Sequence, residues 1–213
     1  MRSTFDGQLK ALNNAMITMG AQCEDAIAKA AKSFLENDKE LAGKVPGIAE
    51  RIEHSEREIE SMCLKLLLMQ QPVASDLRKI SAALKMVTDL QRIGTQSADI
   101  AEIVLSCSFP DAMVAEVIHE MALATIKMVN DSIDAFLHAD VEEARATIRY
   151  DDVVDGYFDE VKHKLIALLQ SDPGTSEYAI DLLMITKYLE RIGDHAVNIA
   201  KWVLFSILGD LDE

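Results

Sequence analysis

The sequence predicts an all-α protein built as two tandem three-helix bundles, residues 1–109 and 110–213, with six long antiparallel helices in total. Three observations carry this reading. Asp89-Leu90-Gln91-Arg92-Ile93-Gly94-Thr95 and Tyr188-Leu189-Glu190-Arg191-Ile192-Gly193-Asp194 are near copies at a constant offset of 99 residues. The match continues through Ile100-Ala101 and Ile199-Ala200 to Val104-Leu105 and Val203-Leu204, so the chain reads as a duplication. Only four prolines and nine glycines punctuate 213 residues, and aromatics make up 5%, a composition of long helices rather than sheets. Finally, Ile185, Leu189, Ile192, Ala196, Ile199 and Val203 recur at alternating spacings of four and three, the apolar seam of a bundle helix. Met86, Leu90, Ile93, Ser97, Ile100 and Val104 repeat that seam in the first half.

Turn chemistry divides the chain into six segments. Breaks fall at Asn37-Asp38, Gln71-Pro72, Ser108-Phe109-Pro110, Ala139-Asp140 and Asp172-Pro173-Gly174. Pro46-Gly47 interrupts the second segment and predicts a kink or a late helix start. Ser75 is a candidate cap for the third helix, Ser108 with Pro110 for the fourth, and Asp172 before Pro173 for the sixth.

Composition narrows the function classes. The net charge of −15 is unevenly spread: residues 1–109 hold 13 basic and 15 acidic side chains, residues 110–213 hold 8 and 21. A nucleic-acid partner is not expected, because phosphate backbones are bound by Lys and Arg. The start of the chain does not read as a secretory signal and no segment has the apolar length of a membrane span, so a cytoplasmic protein without membrane insertion is expected. Cys23, Cys63 and Cys107 are odd in number and set among apolar neighbours, which predicts reduced core thiols.

Seven acidic pairs at i, i+4 occur in the chain, so that spacing alone carries no signal. Their height relative to a turn does. Counting from Pro173, Asp155 lies 18 residues before and Glu190 17 after, while Asp151 lies 22 before and Asp194 21 after. Two pairs on neighbouring antiparallel helices are thus level to within about 1.5 Å of rise. Four carboxylates on one patch repel unless protonated or bridged by cations, and oxygen-only donors suit hard metals such as Mg²⁺, Mn²⁺, Ca²⁺ or ferric iron. Counting from Pro72, the equivalent first-half positions are Ala49, Glu53, Gln91 and Thr95, where a single acid remains. A metal site in the second half alone is therefore expected.

These motifs resemble the PhoU family of phosphate-uptake regulators over nearly the whole length. Gln71-Pro72-Val73-Ala74-Ser75-Asp76-Leu77-Arg78 looks like the family's signature between its second and third helices, and Leu189-Glu190-Arg191-Ile192-Gly193-Asp194-His195-Ala196-Val197-Asn198-Ile199-Ala200 is similar to its (E/D)xxxD motif. The resemblance implies a non-enzymatic, often dimeric adaptor. Its partners would be the ATPase subunit of the phosphate ABC transporter and a phosphate-sensing histidine kinase, and its role would be to damp the phosphate-starvation response. It also implies multinuclear clusters of divalent or trivalent metal (iron, manganese, magnesium or zinc), carried over by position to Asp151, Asp155, Glu190 and Asp194.

Three other readings compete. Glu116-Val117-Ile118-His119 and Glu160-Val161-Lys162-His163 are both Glu-x-x-His, as in di-iron carboxylate oxidases. His195 beside Asp194 raises a phosphotransfer role. A helical scaffold without metal is the third, in which the acids are solvated surface charge.

Overall fold

The computed structural model describes residues 2–69, 73–107, 109 and 114–210, and among these there is no strand. Six long helices carry the fold: α1 (Arg2–Glu36), α3 (Val45–Met69), α4 (Ala74–Ser106), α5 (Ala115–His138), α6 (Val141–Ser171) and α7 (Ser176–Leu208). A single-turn α2 (Lys39–Ala42) precedes α3, and a 3₁₀ turn (Pro173–Thr175) precedes α7.

Local chemistry explains most boundaries. Asp38 caps α2 by accepting from the Leu41 amide at 2.9 Å, and Asp140 caps α6 by accepting from the amides of Glu142 and Glu143 at 2.9 and 3.0 Å. The interruption at Pro46 is a late start: α3 begins at Val45, with Pro46 in the first turn, where its missing N–H has no partner to lose. Asp172 accepts from Gly174 N at 3.0 Å and so caps the 3₁₀ turn rather than α7 itself. Ser75 does not cap the third long helix. That helix starts two residues earlier than such a cap would give, at Ala74 after Val73, which makes no side-chain cap bond. The Gln71-Pro72 turn and the Ser108 and Pro110 start signals lie outside the described residues.

The central layer is α1, α4, α5 and α7, with α4 and α7 sharing the most extensive contact; α3 packs on the outside of α1 and α4, and α6 on α5 and α7. Contacts across the α4–α7 pair run antiparallel. Asp89 meets His195 and Asn198, while Arg78, earlier in α4, approaches Gly209 at the end of α7. Every residue of both predicted seams is buried, and one continuous apolar cluster spans the two halves. The seam sequences are thus the reason the repeats fuse: each would expose an apolar stripe alone, and burial at roughly 25 cal/mol per Å² favours joining them. Cys23 and Cys63 are buried and all three thiols are unpaired with one another. Burial pushes Cys63 up to about 12.

Gly94 and Gly193 mark the close approaches within each half. A Cβ at Gly94 would lie 2.9 Å from Ile52 Cδ1, and one at Gly193 would lie 3.2 Å from Asp151 Oδ1 and 3.3 Å from Val154 Cγ1. Ile52 and Val154 therefore occupy equivalent places on α3 and α6, which verifies the register counted around the two turns.

At the α5–α6 turn, Ala139 adopts φ 52 and ψ 47, the left-handed conformation that costs a Cβ-bearing residue roughly 1–2 kcal/mol. Ala139→Gly should raise stability by about 0.5–1 kcal/mol, the gain being reduced by glycine's greater freedom in the unfolded chain. A urea denaturation midpoint below that of the parent protein would contradict this.

Candidate functional site

The groove between α6 and α7 brings the four predicted carboxylates together. Asp151 and Asp155 lie one turn apart on α6, Glu190 and Asp194 one turn apart on α7, and Gly193 lets the two helices approach at that height. Val154 and Leu189 beside them are buried, whereas Asp155 and Asp194 are exposed and Asp151 and Glu190 are partly buried. The cluster therefore sits at the solvent edge of the apolar seam.

Its electrostatics are those of crowded like charges. Asp151 is the focus: partial burial pushes it up most, followed by the charges of Asp155, Asp194, Glu190 and Asp152, to about 6 against an ordinary 3.8. Asp155 is raised by burial and then by Glu190, Asp152 and Asp159, with Lys187 opposing. Lys187 holds the Glu190 carboxylate at 2.6 and 2.5 Å and also lies over the Phe158 ring. One cation thus offsets part of the repulsion. Among the described residues no three His, Cys, Asp or Glu side chains are gathered closely enough to hold a metal ion as they stand. The donor chemistry fits a hard cation, and the barrier to closure is identifiable: Glu190 must leave Lys187, and the other carboxylates must overcome their mutual repulsion.

The first half shows what the same groove looks like without the acids. Gln91 Nε2 donates to Thr95 Oγ1 at 3.0 Å, and Thr95 Oγ1 donates to the Gln91 carbonyl at 3.3 Å, so the two satisfy one another. Opposite them, Glu53 is paired with Arg57 and Ala49 offers no donor. Glu56, raised mainly by burial and then by Glu60 and Glu53, is the nearest analogue of Asp151, but it lies further along α3.

Sequence reasoning missed two residues. Lys187 was legible as an i, i+3 partner of Glu190 on the same helix face. Asp89 was not: it accepts from His195 Nδ1 at 2.9 Å and from Asn198 at 3.4 Å across 106 and 109 residues of chain. That bond fixes the imidazole as a strut between α4 and α7 through Nδ1. Glu116, His119, Glu160 and His163 are all exposed, and the His163 ring bonds to the Asp159 carbonyl at 2.6 Å. Two Glu-x-x-His motifs facing solvent cannot build the bundle-core site of a di-iron oxidase.

The fold defines a class, that of duplicated three-helix proteins, and this chain carries its carboxylate groove in the second repeat. The family model described as "PhoU domain" matches the chain twice, over residues 16–104 and 118–203, and the chain belongs to the PhoU family. A relative from Pseudomonas aeruginosa, described as a phosphate-specific transport system accessory protein PhoU homolog, is 30% identical over 96% of this chain and 86% of its own length. One from Synechocystis bearing the same description is 31% identical over 98% and 93%. The crystal structure of PhoU from Pseudomonas aeruginosa superimposes with a TM-score of 0.90 at 30% identity, covering 97% of this chain and all of that one. The phosphate transport system regulatory protein PhoU from Streptococcus pneumoniae gives the same score at 26% identity, over 98% and 99%.

The raised Asp151 predicts a pH dependence for the metal-free protein. Its proton is held more tightly in the folded than in the unfolded chain, so between about pH 4 and pH 6 the folded state binds more protons and stability falls as pH rises. Asp151→Asn should therefore raise the urea midpoint near pH 7 and leave it unchanged near pH 4. The gain should reach about 1 kcal/mol at most, because solvent screens a part-exposed carboxylate. Equal effects at both pH values would refute the repulsion account.

Proposed function

We propose that this protein is a regulator of phosphate uptake and of the phosphate-starvation response. It would act as an adaptor between the ATPase subunit of the phosphate ABC transporter and a phosphate-sensing histidine kinase, damping the response when phosphate is plentiful. The observation that carries this is the double PhoU match across nearly the full chain, together with relatives described as accessory to phosphate-specific transport. No described helix is long and apolar enough to cross a membrane, so work at a transporter would be done by docking onto it. The action proposed is competition or bridging between partner surfaces, without turnover, and the working unit is a homodimer. Its contact should avoid the most acidic face of the second half, because burying unpaired carboxylates is costly.

Asp151, Asp155, Glu190 and Asp194 are the proposed metal ligands. A bound hard cation would supply the positive charge that this groove lacks, pinning α6 to α7 and setting the shape offered to partners. The chain's own contribution is the register: Gly193 brings the helices close, and Lys187 occupies Glu190 until it is displaced.

Two outcomes test these readings. Deleting the gene should leave phosphate-starvation transcripts high in phosphate-rich medium, by severalfold or more; transcripts that stay repressed argue instead for a helical scaffold. For the metal, elemental analysis should find it bound through the second half alone. Glu190→Gln with Asp194→Thr should abolish binding, and Ala49→Asp, Gln91→Glu and Thr95→Asp together should add a second site. Equal occupancy of both halves in the parent protein would end the asymmetric reading.

A further inference from the structure

Bordered by Asp151 and Asp194, where α4 meets α7, an open cleft of about 670 Å³ is also lined by Arg92 and Gln96 of α4 and by Arg191, His195 and Lys201 of α7. Arg92 from one helix and Arg191 and Lys201 from the other put three permanent cations around one space in a chain of net charge −15. Arg92 and Arg191 are the same position of the two repeats, and the antiparallel packing delivers one guanidinium from each half to one space. Both are exposed, so core packing does not require either. Among the described residues neither they nor Lys201 have a carboxylate within ion-pair distance. Arg191 lies over the Tyr188 ring at 5.9 Å, and Glu56 and Asp99 act on the arginines only at longer range. Guanidinium groups left unpaired on an acid-rich protein are suited to receive an oxyanion from solution.

The remaining lining narrows the anion. Gln96 Oε1 is buried and has no hydrogen-bond partner among the described residues, an orphaned acceptor that calls for a donor. Asp151 and Asp194 on the cleft wall are acceptors as well; they repel any anion, and only one that carries a proton offsets that repulsion with a donated hydrogen bond. Hydrogen phosphate meets both conditions, carrying negative oxygens for the arginines and a P–OH for the acceptors. Sulfate has no such proton at neutral pH, and a phosphate monoester, with a second pKa of about 6, has mostly lost its own.

We infer that the Arg92–Arg191 cleft is a binding site for inorganic phosphate, shared between the two repeats. Its regulatory meaning rests on the proposed role in phosphate signalling; its chemistry does not, and it needs no metal. Occupancy ties α4 to α7 through both arginines, which would let phosphate level bias the packing of one half on the other.

Calorimetric titration of the full-length, chelator-treated protein with sodium phosphate should show saturable binding of one phosphate per chain. Arg92→Gln and Arg191→Gln should each weaken it about tenfold, the scale of one lost charged hydrogen bond, and the double variant should abolish it. Arg92→Lys should retain part of the affinity, and Lys39→Gln, on the distant α2, should change nothing; circular dichroism checks that each variant stays helical. Gln96→Leu should narrow the preference for phosphate over sulfate. No saturable binding at millimolar phosphate, arginine variants equal to the parent, or sulfate or glycerol phosphate bound more tightly than inorganic phosphate would each overturn the assignment. A normal starvation response in the deletion strain alongside arginine-dependent binding would remove the regulator reading and leave the site; derepression without binding would do the reverse.

Discussion

The antiparallel contact between α4 and α7 is the constraint on which the rest of the molecule depends. It is the largest helix–helix surface, it joins the two repeats, and each of its helices is also the inner wall of a groove, α4 against α3 and α7 against α6. Because both helices carry the same seam at the same offset, one packing solution serves twice. Helices packed along their length are fixed in rotation by their apolar stripe, so residues flanking the stripe are aimed at set places. Glu190 is carried to the α6 side and Arg191 and His195, one position further round, toward α4, while Asp194 borders both spaces. The proposed metal groove and the proposed anion cleft are consequences of one helix having two flanks.

Electrostatic asymmetry is laid over that symmetric frame. In the first half, Gln91 and Thr95 close on each other with neutral hydrogen bonds and leave nothing to be compensated. In the second, Glu190 and Asp194 leave Asp151 among like charges and unusually reluctant to ionise. Strain of this kind is local and reversible: a proton, a lysine or a bound cation each relieves it. The protein as it stands uses the lysine, with Lys187 drawn onto Glu190.

Much of this was legible in the sequence because the two signals involved are short-range and periodic. Seam positions follow from the helical repeat, and the level of Asp151 with Asp194 follows from counting through a short turn, where each residue adds a fixed rise. What escaped had other physics behind it. Ser75 has the residue type of a cap, yet the backbone reaches helical geometry two residues sooner, at Ala74, and end positions shift by one or two residues at little cost. The Asp89–His195 bond joins residues 106 apart, and no local pattern encodes which flank of α4 meets α7. The cationic cleft escaped for the same reason: Arg92 and Arg191 were visible as repeat equivalents, but their meeting depends on how the halves pack.

The comparison of the two repeats also shows which positions are free to diverge. Leu90 and Leu189, Ile93 and Ile192, Gly94 and Gly193, Ile100 and Ile199, and Val104 and Val203 are identical pairs, and every one is buried. A changed volume at such a place costs about 1–5 kcal/mol, a large part of the stability of an ordinary domain. Gln91 against Glu190, Thr95 against Asp194 and Glu102 against Lys201 differ, and all lie at the groove edges, where water can reach them and substitution is cheap. Packing thus accounts for what the halves share in their seams and permits what they do not share at their rims. Arg92 and Arg191 fall outside that division, being exposed and identical, so their retention calls for a cause other than the core. An oxyanion held between them is such a cause, since it would make the same demand on both copies.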